Sequence, residues 1–377
     1  MVTTPITCSD SYDHQDTQES CIRSHIIACG GDADHKDKGG ERGLRKKVKR
    51  FFHSKASSNS SGVNSSAVAM ASFETSCRRK LRSGPSVVIP AAPAAACGGS
   101  NKRALLCGVT YSHQHRYMLK GTANDVSNMK NLLTNTFGYP AECIRILSDD
   151  PGAQDLIPTK KNIENSLKWL VEGCKWGDSL VFYFSGHGLR QPDFQNDELD
   201  GYDETICPVD FLKEGMILDN DINKTIVWPL KEGVKLHAIV DACHSGTILD
   251  LEHVYNRKQR TWINNLPPSG ARKSTSGGLA ISISACEDDK MAADTTVFTK
   301  KEMNGAMTYI LTKTVKENPQ ITYGGLLDTM ANHIVNINSE RWIKSRIIRK
   351  VLRHKTLQEP MLSSSAKFEV NDTKFIL

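Results

Sequence analysis

The chain has 377 residues, 39% of them hydrophobic, and a net charge of +6, so it can bury a full core as one large domain or two ordinary ones. Residues 1–100 hold 14 lysines and arginines against nine aspartates and glutamates, and therefore carry five of the six positive charges. The 11 cysteines are irregularly spaced, which favours reduced thiols. With no signal-peptide pattern and no apolar run of membrane-spanning length, we expect a soluble monomer of the cytoplasm or nucleus.

Residues 1–100 are rich in Ser, Gly, Asn and charge, and no periodic element persists there. We expect a flexible basic arm. Its cluster GLRKKVKRFFHSK (43–55) could contact an anionic surface or address the nucleus, although a solvated charge run is the simpler interpretation. The arm lacks the aromatic interleaving that would indicate specific nucleic-acid binding.

From residue 103 onward, apolar strands alternate with helical segments. RALLCGVT predicts a buried strand, and the following GTANDVSNMKNLLTNTFG predicts an amphipathic helix. The alternation continues through IRILSDD, PTKKNIENSLKWLVEGC, DSLVFYFSGHG and TIVWPLKEGVKLHAIVDACHSG. This order predicts an α/β fold, with a mostly parallel central sheet covered by helices.

A polar run then interrupts the pattern at 258–278, and its Pro, Gly, Ser and basic residues predict a flexible, cleavable linker. LAISISACEDD supplies a further strand, and GAMTYILTKTVKENP and YGGLLDTMANHIVNIN supply two helices. KFEVNDTKFIL predicts a short closing strand. We therefore expect residues 101–257 and 279–377 to build one sheet together.

Two strands are followed by reactive side chains. LVFYFSGHG delivers His187, and LHAIVDACHSG delivers Cys243. Because the carboxyl ends of parallel strands meet at one sheet edge, we expect the imidazole and the thiol to face one another there. The imidazole would activate the thiol for acyl transfer, and the backbone N–H groups of Gly188 and Cys243 would stabilise the oxyanion.

Either residue alone is better explained by packing, with Cys243 as a buried small hydrophobe and His187 as a turn residue. Their joint occurrence at two strand ends favours the dyad. His244 is a rival base, but a side chain adjacent in sequence normally points away from that of Cys243.

At these residues the chain resembles the metacaspases, the caspase-like peptidases of plants, fungi and protists, and specifically the plant type I members. The resemblance covers roughly residues 103–377. It rests on GVTYSHQHRYMLKGTANDVSNM, FYFSGHG, DELDGYDETICPVDF, ILDNDINKTIVWPL, DACHSGTILDL, ISISACEDDKMAAD and GAMTYILTKTV.

The resemblance implies a caspase-like three-layer α/β/α sandwich, with residues 101–257 as a large-subunit region and 279–377 as a small-subunit region. His187 resembles the catalytic base and Cys243 the nucleophile. Asp125 and Asp241 resemble the acidic wall of the main specificity pocket, with Ser185 at its edge. Two carboxylates favour a guanidinium or ammonium, so the resemblance implies peptide or protein substrates cut after Arg or Lys. The family usually has a cysteine at the position of Thr122.

Four residues stand at positions that resemble the calcium site of the family: Asp203, Asp219, Asn220 and Asp250. Carboxylate and amide oxygens suit Ca²⁺. A solvated acidic loop is the alternative, and the family pattern favours Asp over Asn220. The resemblance implies no organic cofactor. Zinc is not expected, because the first cysteines form no CxxC pair; they are Cys8, Cys21, Cys29, Cys77 and Cys97.

Self-processing within the linker follows from a preference for basic residues. The candidate sites are Lys258, Arg260, Arg272 and Lys273. Near the other end, SERWIKSRIIRKVLRHK (339–355) is basic and partly amphipathic, and packing on the catalytic domain is favoured over a membrane-surface or partner helix. Family analogy adds a role in regulated cell death or stress proteolysis.

Two alternatives stay open. The first is a catalytically silent scaffold of the same fold that regulates a partner through the basic arm. The second is a peptidase of the same clan that prefers Asn, as legumain does. The two acids Asp125 and Asp241 argue against a preference for Asn.

Overall fold

The computed structural model describes residues 99–150, 156–267, 269–285, 294–295, 304–344 and 359–377, with only the backbone described for 294–295, 304 and 336–344. The basic arm predicted for 1–100 lies outside these residues apart from its last two positions. So do the five cysteines considered for zinc and the basic stretch from residue 345 onward.

The strands are β1 (Lys102–Gly108), β2 (Ile144–Ser148), β3 (Ser179–Ser185), β4 (Gly188–Pro192), β5 (Tyr202–Ile206), β6 (Ile217–Leu218), β7 (Lys235–Asp241), β8 (His253–Asn256), β9 (Thr261–Asn264), β10 (Leu279–Ser284), β11 (Asp294–Thr295), β12 (Asn304–Gly305) and β13 (Met361–Ser364). The helices are α1 (Thr122–Asn135), α2 (Lys160–Val171), α3 (Phe211–Glu214), α4 (Asp219–Ile222), α5 (Ala306–Glu317) and α6 (Tyr323–Lys344). A 3₁₀ turn covers Ala141–Cys143, and a π-helical turn covers Asn223–Val227.

One eight-stranded sheet, in the order β2-β1-β3-β7-β10-β13-β8-β9, forms the centre of the described fold. The first five strands are parallel, and the last three continue the sheet with antiparallel pairing. β10 and β13 lie beyond the polar run yet belong to this sheet. Strands from both halves of the chain therefore lie in one sheet.

Strand β3 shows why the sheet has two covered faces. Its residues alternate between two cores: Leu180, Phe182 and Phe184 pack with α2, whereas Val181 and Tyr183 pack with α1, α5 and α6. This is the period of two expected of a strand buried on both sides. Helices therefore cover both faces, and the predicted α/β/α sandwich with a mostly parallel sheet is confirmed.

The start and the buried face of helix α2 are determined by its local sequence. The Thr159 side chain accepts a hydrogen bond from the Asn162 N–H at 3.3 Å and caps the first turn. Ile163, Leu167 and Leu170 then recur on one face and are buried against the sheet.

Two segments differ from the prediction. Residues 258–278 include β9, which pairs with β8 at the edge of the main sheet, so this part of the expected flexible linker is a regular strand. The closing strand is Met361–Ser364, whereas residues 367–377 form turns and one isolated bridge. Phe375 and Leu377 bury their side chains in the core without continuing a ladder, because the turns after Glu369 redirect the backbone.

A search of the described helices finds none with the length and apolar character needed to cross a bilayer.

Candidate active site

The carboxyl ends of β1, β3 and β7 lie side by side. Gly108 pairs with Ser185, and Ser185 pairs with Asp241. His187 follows Ser185 by two residues, and Cys243 follows Asp241 by two. The two predicted reactive residues therefore leave neighbouring strands at the same edge.

Gly188 fixes the contact between these two segments. A methyl group added to its Cα would lie 2.0 Å from the carbonyl oxygen of Cys243. Only glycine permits this approach, so the backbone that follows His187 touches the backbone of Cys243. The structure thus brings together all three residues that the sequence assigned to the dyad and the oxyanion site.

Among the described residues, the imidazole of His187 has one hydrogen-bond partner. Its Nε2 lies 2.8 Å from the carbonyl oxygen of Tyr117, and a carbonyl only accepts, so Nε2 carries the hydrogen. Nδ1 of the neutral ring therefore holds the lone pair. Burial lowers the pKa of His187, and the bond to Tyr117 opposes that effect in part.

Tyr111 is a functional candidate that the sequence analysis did not single out. Its hydroxyl accepts a hydrogen bond from the backbone N–H of His187 at 3.0 Å and donates one to the backbone carbonyl of Cys207 at 2.7 Å. Its ring lies 4.8 Å from the His187 imidazole, centroid to centroid. Tyr111 is fully buried with φ of +54°, a costly conformation for a bulky residue, so the surrounding fold holds it there.

The turn after β7 is also tightly held. Cys243 is 8% exposed, and the next residue, His244, is buried with φ of +48°. The Ser245 hydroxyl donates to the Ala242 carbonyl at 2.9 Å and closes the turn.

Asp125 and Asp241, the predicted acidic wall, converge on the start of α5. A methyl group added to Gly305 would lie 2.8 Å from Asp125 Oδ2 and 2.3 Å from Asp241 Oδ2. The Gly305 N–H donates to Asp125 at 2.9 Å, and Ser185 donates its hydroxyl to the same carboxylate at 3.1 Å. The three residues predicted for this pocket are therefore neighbours. Both carboxylates are at least 95% buried.

Thr308 holds the second carboxylate. Its N–H and its hydroxyl donate to Asp241 Oδ2 at 2.9 and 2.7 Å. The N-terminus of a helix stabilises negative charge, so α5 supports both acids. Sequence analysis missed Gly305 and Thr308, because nothing in the spacing of GAMTYILTKTV indicates which distant residues its first turn contacts.

Thr122, where the family pattern has a cysteine, is buried at the first position of α1. Its hydroxyl lies 3.0 Å from that of Thr110. The departure from the family pattern thus places a hydrogen-bonded hydroxyl on α1, one turn before Asp125.

Three of the four residues predicted as metal ligands, Asp203, Asp219 and Asp250, fall in two adjoining acidic clusters, and the fourth, Asn220, contacts both. Within each cluster, one ligand atom per residue lies within 4.8 Å of the others. Asn220 joins the clusters, because its Nδ2 is 3.4 Å from Asp203 and from Asp197 of the first, and its backbone N–H donates to Asp219 Oδ1 of the second at 2.7 Å. The first cluster is Asp193, Asp197 and Asp203; the second is Glu198, Asp219 and Asp250.

The charges of these clusters fit a cation. Burial, followed by repulsion from neighbouring acids, raises the pKa of Asp219 well above its usual range. Burial, followed by a hydrogen bond to Asp250 and repulsion from it, raises the pKa of Glu198 to about 10, and burial chiefly raises that of Asp203 to about 6. Oδ2 of Asp250 is buried and has no hydrogen-bond partner in the described part of the chain. Hard carboxylate and amide oxygens in this number suit Ca²⁺.

Hydrogen bonds connect the second cluster to the segment after Cys243. The Thr247 hydroxyl donates to Glu204 Oε2 at 2.6 Å, and the Glu204 N–H donates to Asp219 Oδ2 at 2.7 Å. Asn223 Nδ2 donates to the carbonyls of Leu249 and Asp250 at 2.8 and 3.1 Å. These hydrogen bonds link the cluster to the segment that follows the thiol.

The four candidate processing residues differ in accessibility. Lys258, Arg260 and Arg272 are exposed, and Arg260 lies in the turn between β8 and β9. Lys273 is buried and ion-paired, so it is not accessible to a peptidase in this structure.

Comparison with known proteins identifies relatives over most of the chain. A family profile described as "Metacaspase, peptidase C14 domain" matches residues 102–252. Metacaspase-1 of Arabidopsis thaliana is 44% identical over 289 residues, which cover 73% of this chain and 78% of the relative. Metacaspase-3 of the same plant is 43% identical, with 73% and 75% covered. Metacaspase-1 of Meyerozyma guilliermondii is 35% identical, with 74% and 73% covered.

Solved structures give more distant matches. A Geobacter sulfurreducens protein aligns with a TM-score of 0.47 and 18% identity, covering 73% of this chain and 97% of its own. Caspase-1 from Spodoptera frugiperda aligns with a TM-score of 0.39 and 11% identity, covering 70% and 86%.

Proposed function

The chain belongs to the plant-type metacaspases and is therefore a caspase-family cysteine peptidase, and from this premise we propose that it is an endopeptidase that cleaves after Arg or Lys. Cys243 is the nucleophile and His187 the base. The observation that carries the specificity is the convergence of Asp125 and Asp241 on Gly305, next to the reactive strand ends.

The tautomer of His187 supports its role as the base. With the hydrogen on Nε2 held by Tyr117, the lone pair of Nδ1 takes the proton of the Cys243 thiol. The thiolate then attacks the scissile carbonyl carbon and forms a tetrahedral oxyanion. The imidazolium returns the proton to the leaving amine, the C–N bond breaks, and water hydrolyses the thioester.

The backbone of Gly188 supports the proposed oxyanion site. The Cys207 N–H donates to the His187 carbonyl at 3.0 Å, so this pair lies at a hydrogen-bonded position between β4 and β5. Such positions alternate along an antiparallel ladder, and the Gly188 N–H therefore points away from β5. We propose that it donates to the oxyanion, together with the N–H of Cys243.

The acidic wall supports the preference for a basic substrate residue. Two carboxylates present four acceptor oxygens, and the α5 N-terminus stabilises their charge without neutralising both. A guanidinium can bridge two carboxylates, and an ammonium can contact them as a point charge. An Asp side chain in the same place would be repelled by both acids, and a neutral Asn amide could donate to them but would not balance their charge.

We further propose calcium activation. The acidic clusters around Asp203, Asn220, Asp219 and Asp250 would hold the ion, whose charge would relieve the repulsion among the buried carboxylates. Through Glu204 and Thr247, the ordered cluster then holds the segment after Cys243. Family membership alone leads us to propose regulated cell death or stress proteolysis as the biological setting.

The deciding experiment compares wild type with Cys243→Ala and His187→Ala on Arg, Lys and Asp reporter peptides, with calcium and with chelator. We expect cleavage of the basic reporters by calcium-loaded wild type alone. Activity of Cys243→Ala would falsify the assigned nucleophile, and strong cleavage after neutral residues would exclude the basic pocket. Equal activity with calcium and with chelator would exclude only the proposal of calcium activation. Absence of all cleavage, with a reactive thiol, favours the scaffold alternative.

A further inference from the structure

Lys273 holds an unusual position for a residue of a polar connecting segment. Its side chain is only 3% exposed, and Nζ lies 2.5 Å from Glu198 Oε1 and 2.9 Å from Asp250 Oδ1. Both carboxylates are themselves at least 96% buried. A buried ammonium is stable only when paired, so these two acids fix the position of Lys273.

The acids that receive Lys273 belong to the cluster of Glu198, Asp219 and Asp250. This cluster has coordination capacity beyond the lysine, because Asp250 Oδ2 is buried and has no hydrogen-bond partner among the residues that the structure describes. When all three carboxylates are ionised, they carry more negative charge than one ammonium balances. A divalent cation that replaced the ammonium would balance more of this charge.

We infer that Glu198, Asp219 and Asp250 form a cation site whose resident cation is the Lys273 ammonium, and that Lys273 and a hard divalent cation exclude one another there. The inference rests on the calcium-activated peptidase proposed above and adds Glu198 and Lys273 to it.

The exclusion follows from distance. Oxygen ligands lie about 2.3–2.6 Å from Ca²⁺. Lys273 Nζ is already 2.9 Å from one Asp250 oxygen and in contact with Glu198, so an ion on the same oxygens would meet the ammonium at contact distance. Two cations this close repel strongly in a buried site. The lysine must withdraw before the divalent ion binds.

Withdrawal of Lys273 has a consequence for the segment that carries it. Arg272 is exposed, and Ser274 is held by the Arg272 Nε at 2.7 Å within the same segment. The segment is fixed again at Ser276, which donates to the Trp228 carbonyl at 2.7 Å. Loss of the Lys273 ion pairs would therefore release residues 269–275 while β10 stays in the sheet. Cation binding would in this way free the backbone beside Arg272 for cleavage.

The test uses the full chain with Cys243→Ala, so that self-cleavage does not interfere. Calcium binding is measured by titration calorimetry with CaCl₂ in this background, alone and with Lys273→Met or Lys258→Met added. Lys258 is a matched control, because it lies in the same connecting region and pairs with Glu359 at the surface. We expect Lys273→Met to bind calcium at least about tenfold more tightly, and Lys258→Met to bind as the background does.

A second measurement needs no change at Lys273. Hydrogen–deuterium exchange of the Cys243→Ala chain is followed with and without calcium, and we expect faster exchange in 269–275 when calcium is bound. Calcium binding with unchanged exchange there, or weaker binding by a folded Lys273→Met variant, overturns this inference and leaves calcium activation standing. No calcium binding by any variant overturns both, while peptidase activity is judged separately on the reporter peptides.

Discussion

Thr308 donates both its N–H and its hydroxyl to one oxygen of Asp241, 67 residues earlier in the chain. The acid stands at the end of β7, whereas the threonine opens α5 in the second half of the chain. The predicted specificity pocket is therefore built by both halves. Its acidic wall depends on where α5 begins.

Replacement of Thr308 by Val tests this dependence. The hydroxyl bond to the carboxylate is lost, and a hydrogen bond to a charged group contributes about 1.5–3 kcal/mol. We expect kcat/KM on the Arg reporter to fall about 10- to 100-fold, mainly through KM. Thr308→Ser retains the hydroxyl and should keep most of the activity. A serine variant as impaired as the valine variant would contradict the role assigned to the hydroxyl.

Replacement of Tyr111 by Phe removes the hydroxyl that bridges the backbone N–H of His187 and the backbone carbonyl of Cys207. Two buried polar groups lose their partner, at about 1–3 kcal/mol each. We expect a lower kcat at saturating substrate and a lower urea midpoint. Tyr117→Phe is the control, since Tyr117 serves His187 through its backbone carbonyl alone. Equal losses of kcat in both variants would argue against a positioning role for Tyr111.

An alanine at Gly188 should separate the two reactive segments. Its methyl group would lie 2.0 Å from the Cys243 carbonyl oxygen, and a misplacement of about 1 Å can cost 10²-fold in rate. We expect kcat/KM to fall by about that factor. In Gly173→Ala, the added methyl meets no atom within 4 Å, and only its φ of +63° is strained, so stability should fall while activity persists. Retained activity in Gly188→Ala would contradict the contact.

The pH profile should report the burial of His187. A general base acts in its neutral form, and burial lowers the pKa of this imidazole from 6.5. The acidic limb of kcat/KM on the Arg reporter, measured at saturating calcium, should therefore have its midpoint below pH 6.5. Activity should hold as the pH falls from 7.5 to 6.5. A midpoint at or above 6.5 would be incompatible with this environment.

His237 should make the fold sensitive to acid. Complete burial, helped by the nearby Lys235, lowers its pKa to about 3. The unfolded chain binds this proton near pH 6.5 and the folded chain does not, so the stabilisation is complete above pH 6.5 and is lost as the pH falls from 6.5 towards 3. The loss is about 1.4 kcal/mol per pH unit.

Urea unfolding at pH 7.5 and 5.5 checks the effect of His237. Its Nε2 lies 2.6 Å from the Tyr323 hydroxyl, so His237→Phe is combined with Tyr323→Phe, and Tyr323→Phe alone serves as the control. The double variant should lose less stability on acidification than the control. An equal loss in both would show that His237 titrates normally in the folded chain.

The central sheet was predictable because its strands are apolar on both faces and alternate with amphipathic helices. The meeting of His187 and Cys243 at one edge follows from that alternation alone. The hairpin of β8 and β9 was not predictable, because an edge strand such as TWIN is largely exposed and its residues resemble a polar linker.

The contacts around the site show what sequence patterns omit. Lys273 lies in a run of Ser, Gly and basic residues whose composition predicts a flexible processing site, yet its side chain is buried against acids 75 and 23 residues away. Glu198 stood in the acidic stretch without an assigned role. Such pairings depend on which loops the sheet order brings together, and the local composition carries no trace of them.

The sheet order determines what a backbone break between β9 and β10 would do. The amino-terminal fragment would contain β2, β1, β3 and β7 on one side of the sheet and β8 and β9 on the other. The carboxyl-terminal fragment would contain β10 and β13, which lie between these two groups. The two fragments could separate only if the hydrogen bonds between β7 and β10 and those between β13 and β8 were both broken. A nicked molecule should therefore migrate as one particle on a sizing column and separate into two bands only in denaturant.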